Sequence, residues 1–206
     1  PVYVGFTANA LEGIAEMNIV PSTKIHNDVL PNPVGISEAV ELLSQAKNPV
    51  LMVGDRVSDD AAIKEAIEIA ELLGMAVFQS RGAEVSFPTN HPQYYGIHSL
   101  RVQKSRDLLK EFDVVLSVGM DAFDELFYWG DVILSDTQKL IHIDPIPGRV
   151  GRSEPTDIGI ISNCKTGLRA LITELPEKID KKLMSARKTQ VLEDVKSSKS
   201  AYESSV

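Results

Sequence analysis

The residues best placed to do chemistry stand where short apolar runs stop. Those stops read Gly54-Asp55-Arg56, Gln79-Ser80-Arg81-Gly82, Gly119-Met120-Asp121 and Asp144-Pro145. Glycine lets backbone approach a ligand closely, and an aspartate accepts hydrogen bonds from ribose hydroxyls. Gly54, Asp55, Arg81, Gly82, Gly119, Met120 and Asp144 therefore make a candidate cofactor-binding set of the kind that lines a nucleotide crevice. The same residue types also build ordinary strand-to-helix turns. The first turn weighs against phosphate, because Asp55, Asp59 and Asp60 stand beside a single Arg56 and their carboxylates already complement the helix dipole that a diphosphate would use. Neither Gly-x-Gly-x-x-Gly nor a Walker-type Gly-Lys-Ser/Thr occurs in the chain.

Other reactive side chains form no recognisable constellation, and no catalytic residue is assigned. His26, His91, His98 and His142 are scattered and have no metal-ligand spacing with Cys164, so no metal site is expected. His142 falls inside an apolar run and reads as a packed core residue. His91 and His98 share a long loop with Arg81, Tyr94 and Tyr95, which could face a ligand, a neighbouring domain or only solvent. A stand-alone enzyme using His91 or His98 as a base is one reading of that loop. Cys164 lacks a partner to lower its pKa, and no Gly-x-Ser-x-Gly elbow occurs. Phe123, Leu126, Phe127, Tyr128 and Trp129 crowd one segment without interleaved cations, as in a core-closing or interface helix rather than a base-stacking surface.

The elements that must position these residues alternate. Ser37 can cap a helix running to about Ala46. Val50 to Gly54, Met75 to Gln79, Asp113 to Gly119, Leu140 to Asp144 and Ile158 to Ile161 are apolar runs. Between them lie a helix opened by Ser58 or Asp59, with a stripe of Ile63, Ala66, Ile67, Ala70 and Leu73 closed by Gly74, and a shorter helix from Lys104 to Phe112. Thr166 to Leu175 forms the last amphipathic helix of the alternating region. Continuous apolar strands are buried on both faces, as in parallel sheets flanked by helices. The expected fold is thus α/β, a Rossmann-like doubly wound parallel sheet of about six strands. The chain opens on a strand-like Pro1–Phe6 without an initiator Met and reads as a piece of something longer. Residues 1–35 read as an end strand plus linker with breakers at Pro21, Pro31 and Pro33, 36–176 as the central domain, and 177–206 as a surface helix fraying into a second linker. In that tail Ile179, Leu183, Val191 and Val195 share a face interrupted by Arg187.

A net charge of −8 repels nucleic acid and anionic lipid, and no apolar run approaches the ~20 residues that span a bilayer. The single cysteine fits a reducing, cytoplasmic setting.

Four segments taken in order resemble the central domain of thiamin-diphosphate-dependent enzymes, the group of acetolactate synthase, benzoylformate decarboxylase and related 2-oxo acid decarboxylases and carboligases. They are Asn48-Pro49-Val50; Phe87-Pro88-Thr89-Asn90-His91-Pro92-Gln93-Tyr94-Tyr95-Gly96; Asp113-Val114-Val115-Leu116-Ser117-Val118-Gly119; and Leu140-Ile141-His142-Ile143-Asp144-Pro145. The likeness spans Gly35 to Leu175. Pro1–Phe6 resembles the last strand of the preceding pyrimidine-binding domain, and the tail resembles the linker toward the diphosphate-binding domain. The resemblance implies a structural and subunit-contact role in a homo-oligomer, with those two domains as partners. It also implies thiamin diphosphate and Mg in the parent enzyme but not on this piece. The activating glutamate belongs to the first domain. The Gly-Asp-Gly that holds Mg and diphosphate belongs to the third; here Gly54-Asp55 and Gly130-Asp131 are followed by Arg56 and Val132. Some members bind FAD or ADP in this domain. They carry Gly-x-Arg-Phe-Asp-Asp after the third strand, where this chain has Gly119-Met120-Asp121-Ala122-Phe123-Asp124-Glu125. Phe123 and Asp124 match, but Asp121 stands for the arginine. That points to a member without flavin, with an FAD- or ADP-binding module as the alternative.

Overall fold

The computed structural model describes residues 3–14, 16–24, 26, 28–81, 84–99, 103–121, 123 and 132–203. Its centre is a six-stranded, all-parallel sheet in the order β3-β2-β1-β4-β5-β6. The strands are β1 (Pro49–Val53), β2 (Ala76–Gln79), β3 (Tyr94–Ile97), β4 (Val114–Val118), β5 (Lys139–Asp144) and β6 (Ile158–Ile161). The helices are α1 (Ala8–Glu12), α2 (Pro33–Gln45), α3 (Asp55–Asp59), α4 (Ile63–Leu73), α5 (Gln103–Leu109), α6 (Cys164–Glu174) and α7 (Lys181–Glu203). The order runs outward in one direction from β1 and then returns to β4 on its other side. The carboxyl ends of β1 and β4 therefore flank the point where a doubly wound sheet opens a crevice.

Both faces are covered, which is why the strands lack polar alternation. Leu51, Val53, Leu116, Val118, Ile141 and Ile143 join one apolar cluster with residues of α2, α4 and α6, such as Leu43, Ile69 and Leu168. Val50, Met52, Phe78, Val115 and Leu140 join a second with Leu109, Phe112, Val191 and Val195. The apolar runs and Gly74, which closes α4 with φ 63°, are found as expected.

Several elements differ from the sequence reading, each for a local reason. Helix α2 begins at Pro33, not near Ser37, because the Asn32 side chain accepts from the Val34 N–H at 2.9 Å and proline at the first helical position has no N–H to lose. The helix expected from Ser58 to Leu73 is two helices broken at Asp60–Ala62, where Ala61 has φ 51°. Its buried face takes Glu65 and Ile69, while Ile63 and Ile67 are half-buried. The long loop contains an edge strand, β3, whose Tyr-Tyr-Gly-Ile is too short and too exposed on its outer side to read as an apolar run. Tyr3 to Phe6 pair with no strand of this sheet and are exposed, and among the described residues before Pro33 the only helix is the exposed α1. The aromatic segment at 124–129 lies outside the described residues.

The tail differs most. Helix α7 runs to Glu203, with Met184, Val191 and Val195 buried and Leu183 exposed. Arg187 does not interrupt that face; it is the face's polar centre, only 7% exposed. Its guanidinium donates to the carbonyl of Leu73, the last residue of α4, at 2.9 Å, and to that of Ala46 at the end of α2. One side chain thus closes two helix C-termini, whose terminal carbonyls have no partner within the helix. Burial pulls the Arg187 pKa down, with Asp113 opposing. Replacing Arg187 with methionine should lower unfolding free energy by about 2–4 kcal/mol, because two buried carbonyls lose a charged donor. Urea denaturation followed by circular dichroism measures this, and a change within ~0.5 kcal/mol would show that the cap is dispensable.

Candidate functional site

The crevice between β1 and β4 is closed by the chain's own backbone. The Gly54 N–H donates to Val118 O at 3.0 Å, and the Arg56 N–H donates to Gly119 O at 3.1 Å. Gly54, which precedes α3, and Arg56 thus spend their N–H groups on the neighbouring strand end rather than leaving them for an anion. Two glycines make this approach possible. A Cβ on Gly54 would overlap Met120 and lie 2.5 Å from the Gly119 carbonyl oxygen. Gly119 has φ 62°, and a Cβ there would lie 2.8 Å from both Cys164 Sγ and the Val57 nitrogen.

Above that contact stands a cluster of charge. Arg56 Nε donates to Asp144 at 2.7 Å and its Nη2 to Asp121 at 2.9 Å; Arg149 pairs with the second oxygen of Asp121. Asp144 is fully buried, and its other oxygen accepts the Ile146 N–H at 2.9 Å. Burial opposes charge on Arg56, but the Asp144 and Asp121 carboxylates outweigh it and hold the pKa above the usual value. Below the cluster, His142 Nε2 lies 2.9 Å from Met120 O. A carbonyl only accepts, so Nε2 carries the hydrogen. His142 is 1% exposed, consistent with a packed core residue, and burial lowers its pKa. Cys164 is buried, and burial together with Asp60 pushes its thiol well up, which keeps it protonated.

Of the expected set, Gly54, Gly119, Met120 and Asp144 come together here. Asp55 stands at the start of α3 and accepts the Glu84 N–H at 3.2 Å. Arg81 is exposed and has no ion pair with the cluster among the described residues; Gly82 lies outside them. Sequence reasoning missed Asp121 and Arg149 as members and treated Arg56 only as a counter-charge to its acidic neighbours. A usable signal was present: Gly54-Asp55-Arg56 and Gly119-Met120-Asp121 place opposite charges two residues past the last glycine of adjacent strands. His91 is tied into its own loop, with Nδ1 accepting the Gln93 N–H at 3.2 Å and Nε2 3.6 Å from Glu71; burial lowers its pKa.

This arrangement has ligand-type cations and glycines, but each is already satisfied within the chain. A nucleotide diphosphate would have to displace Asp121 from two arginines and the Gly119 carbonyl from a helix start. The residues present do not fit a bound flavin or adenine nucleotide in this state. Among the described residues no group of three His, Cys, Asp or Glu converges as a metal site, and no helix is long and apolar enough to cross a membrane.

Residues 36–171 match the family described as thiamine pyrophosphate enzyme, central domain. The chain is 30% identical over 156 residues to acetolactate synthase of Mycobacterium bovis, covering 75% of this chain and 24% of that protein. It is 30% identical over 145 residues to sulfoacetaldehyde acetyltransferase of Roseovarius nubinhibens, covering 69% and 24%. It therefore spans about a quarter of the curated relatives it matches. Among solved structures it resembles a thiamin diphosphate-dependent enzyme from Mycobacterium smegmatis, with TM-score 0.69, 26% identity, and 78% of this chain against 31% of that one. Benzoylformate decarboxylase from Polynucleobacter necessarius shares the fold, with TM-score 0.68 at 18% identity over 81% and 31% of the two chains.

A buried neutral histidine makes folding pH-dependent with a definite sign. His142 titrates below its unfolded value of ~6.5, so its share of stability is present above that value and is lost as pH falls below it. His91 acts in the same direction. Stability should fall between about pH 7 and pH 5, and His142→Phe should flatten that slope partially. Denaturation midpoints measured across this range test it; an unchanged slope in the variant would assign the effect elsewhere.

Proposed function

The chain belongs to the thiamine pyrophosphate enzyme central-domain family, and from that premise we propose that it is the non-catalytic middle of an enzyme that breaks or forms the bond beside a 2-oxo acid carbonyl. In this reading thiamin diphosphate and Mg are held by the pyrimidine- and diphosphate-binding domains of the parent. The present domain ties those two together and shapes contacts between subunits of a cytoplasmic homo-oligomer. Residues 1–35 are the approach from the first domain, and residues beyond 176 lead toward the third.

One observation carries the reading: the crevice where this kind of sheet binds ligands is filled by the Arg56–Asp121–Arg149 and Arg56–Asp144 pairs. Among the described residues, the charged side chains of that crevice are engaged with one another. The alternative, an FAD- or ADP-binding module, is supported by the doubly wound order and the strand-end glycines but needs that cluster to rearrange.

The purified chain should give no binding heat with thiamin diphosphate and Mg in calorimetry. It should consume no 2-oxo acid, and it should be colourless. Turnover or cofactor heat from the isolated chain would overturn the structural role, and flavin absorbance that survives gel filtration would favour the alternative.

A further inference from the structure

We propose that Asp121 is an internal substitute for a phosphate group, and that this one carboxylate decides whether the crevice takes a diphosphate-bearing ligand. The inference deepens the reading of a closed crevice and rests on it.

Two guanidinium groups from different segments converge on the two oxygens of Asp121: Arg56 just past β1 at 2.9 Å and Arg149 in the turn after β5. Such convergence of planar donors on separate oxygens of one anion is how arginines hold carboxylates and phosphates alike. The position matters as much as the pairing. Asp121 stands two residues past Gly119, the glycine that follows β4, at the switch point where open sheets of this order receive ligands. The arginines differ in freedom. Arg56 is also anchored by the fully buried Asp144, whereas among the described residues Asp121 is the one carboxylate paired with Arg149. The Arg149 side chain is 35% exposed and that of Asp121 28% exposed, so solvent reaches the pair. Neutralising Asp121 removes one negative charge and frees Arg149 from this pair and Arg56 in part, leaving a cationic seat open to solvent. With Asp121 in place, an incoming diphosphate must both displace a carboxylate already held by two cations and accept its repulsion.

Asp121→Asn keeps the size and removes the charge. Inorganic pyrophosphate, titrated into the variant by calorimetry at low ionic strength, should bind at least about tenfold more tightly than to the wild type, a difference of ~1.4 kcal/mol. Asp121→Glu should still exclude it, and Asp121→Asn with Arg149→Ala should lose the gain. A folded Asp121→Asn variant no better than wild type would overturn the proposal while leaving the structural role of the domain intact. Thiamin diphosphate heat or 2-oxo acid turnover would instead strike that role. If the Asn variant does not fold, the wild type still decides. Its melting temperature should rise no further with millimolar pyrophosphate than with sodium chloride of equal ionic strength, and specific stabilisation would sink the idea.

Discussion

Burying six parallel strands between two layers of helices removes water from both faces, so polar groups at the two ends of the sheet must find partners in the chain. The two ends pose opposite problems. Helices that return to the amino end finish there in unpaired carbonyls and need donors. Helices that start at the carboxyl end present unpaired N–H groups and need acceptors.

The amino end is solved by buried donors placed just before strands. Gln93, directly preceding β3, donates to the carbonyls of Ala70 and Met75 at 2.8 Å each and closes α4. Gln138, directly preceding β5, does the same for α5 through Leu109 and Phe112 at 2.9 and 2.8 Å. Arg187 adds the end of α2 and a second carbonyl of α4 from the far tail. Helix α7 thereby packs on the ends of α2 and α4, which without it would lack that donor. The carboxyl end is solved by acids. Asp60 accepts the Cys164 N–H at 2.5 Å at the start of α6, Asp55 takes the Glu84 N–H, and Asp144 takes Ile146. Within the acidic turn that argued against phosphate in the sequence, Asp60 caps the start of α6 and Asp55 holds the loop at Glu84.

Much of the fold was legible because it follows from one averaged property. Strands such as Val114–Val118 and Leu140–Asp144 are apolar throughout since both of their faces are covered, and a continuous run is visible without knowing its partners. β3 is an edge strand of four residues, only one of them buried, so its signal disappears into the loop. The start of α2 was misplaced because Pro33 was read as a breaker, when its meaning depends on whether it stands first or in the middle of a helix. Arg187 was read as a flaw in an apolar stripe because a sequence cannot show that two helix ends, from residues 46 and 73, meet beneath it. The candidate site was half legible for a similar reason. Glycines and Asp144 mark where apolar runs stop and can be read without knowing the neighbours, whereas the pairing of Arg56 and Arg149 with Asp121 depends on register between β1, β4 and β5.

That distinction bears on how such crevices are read. Glycines at the ends of adjacent parallel strands are ordinarily taken as a mark of ligand binding, because they let a backbone approach a phosphate. Gly54 and Gly119 satisfy an earlier requirement, the approach of the two strand ends to each other, and they would be needed with or without a ligand. The information about binding resides instead in charge balance. Two arginines facing two aspartates make a neutral, self-sufficient lock, and the same backbone with one carboxylate fewer would be a receptor. A domain of this frame can therefore act as a passive spacer or as a nucleotide site without any change in its strands, helices or glycines, and the residue two places past the β4 glycine is where the two states part.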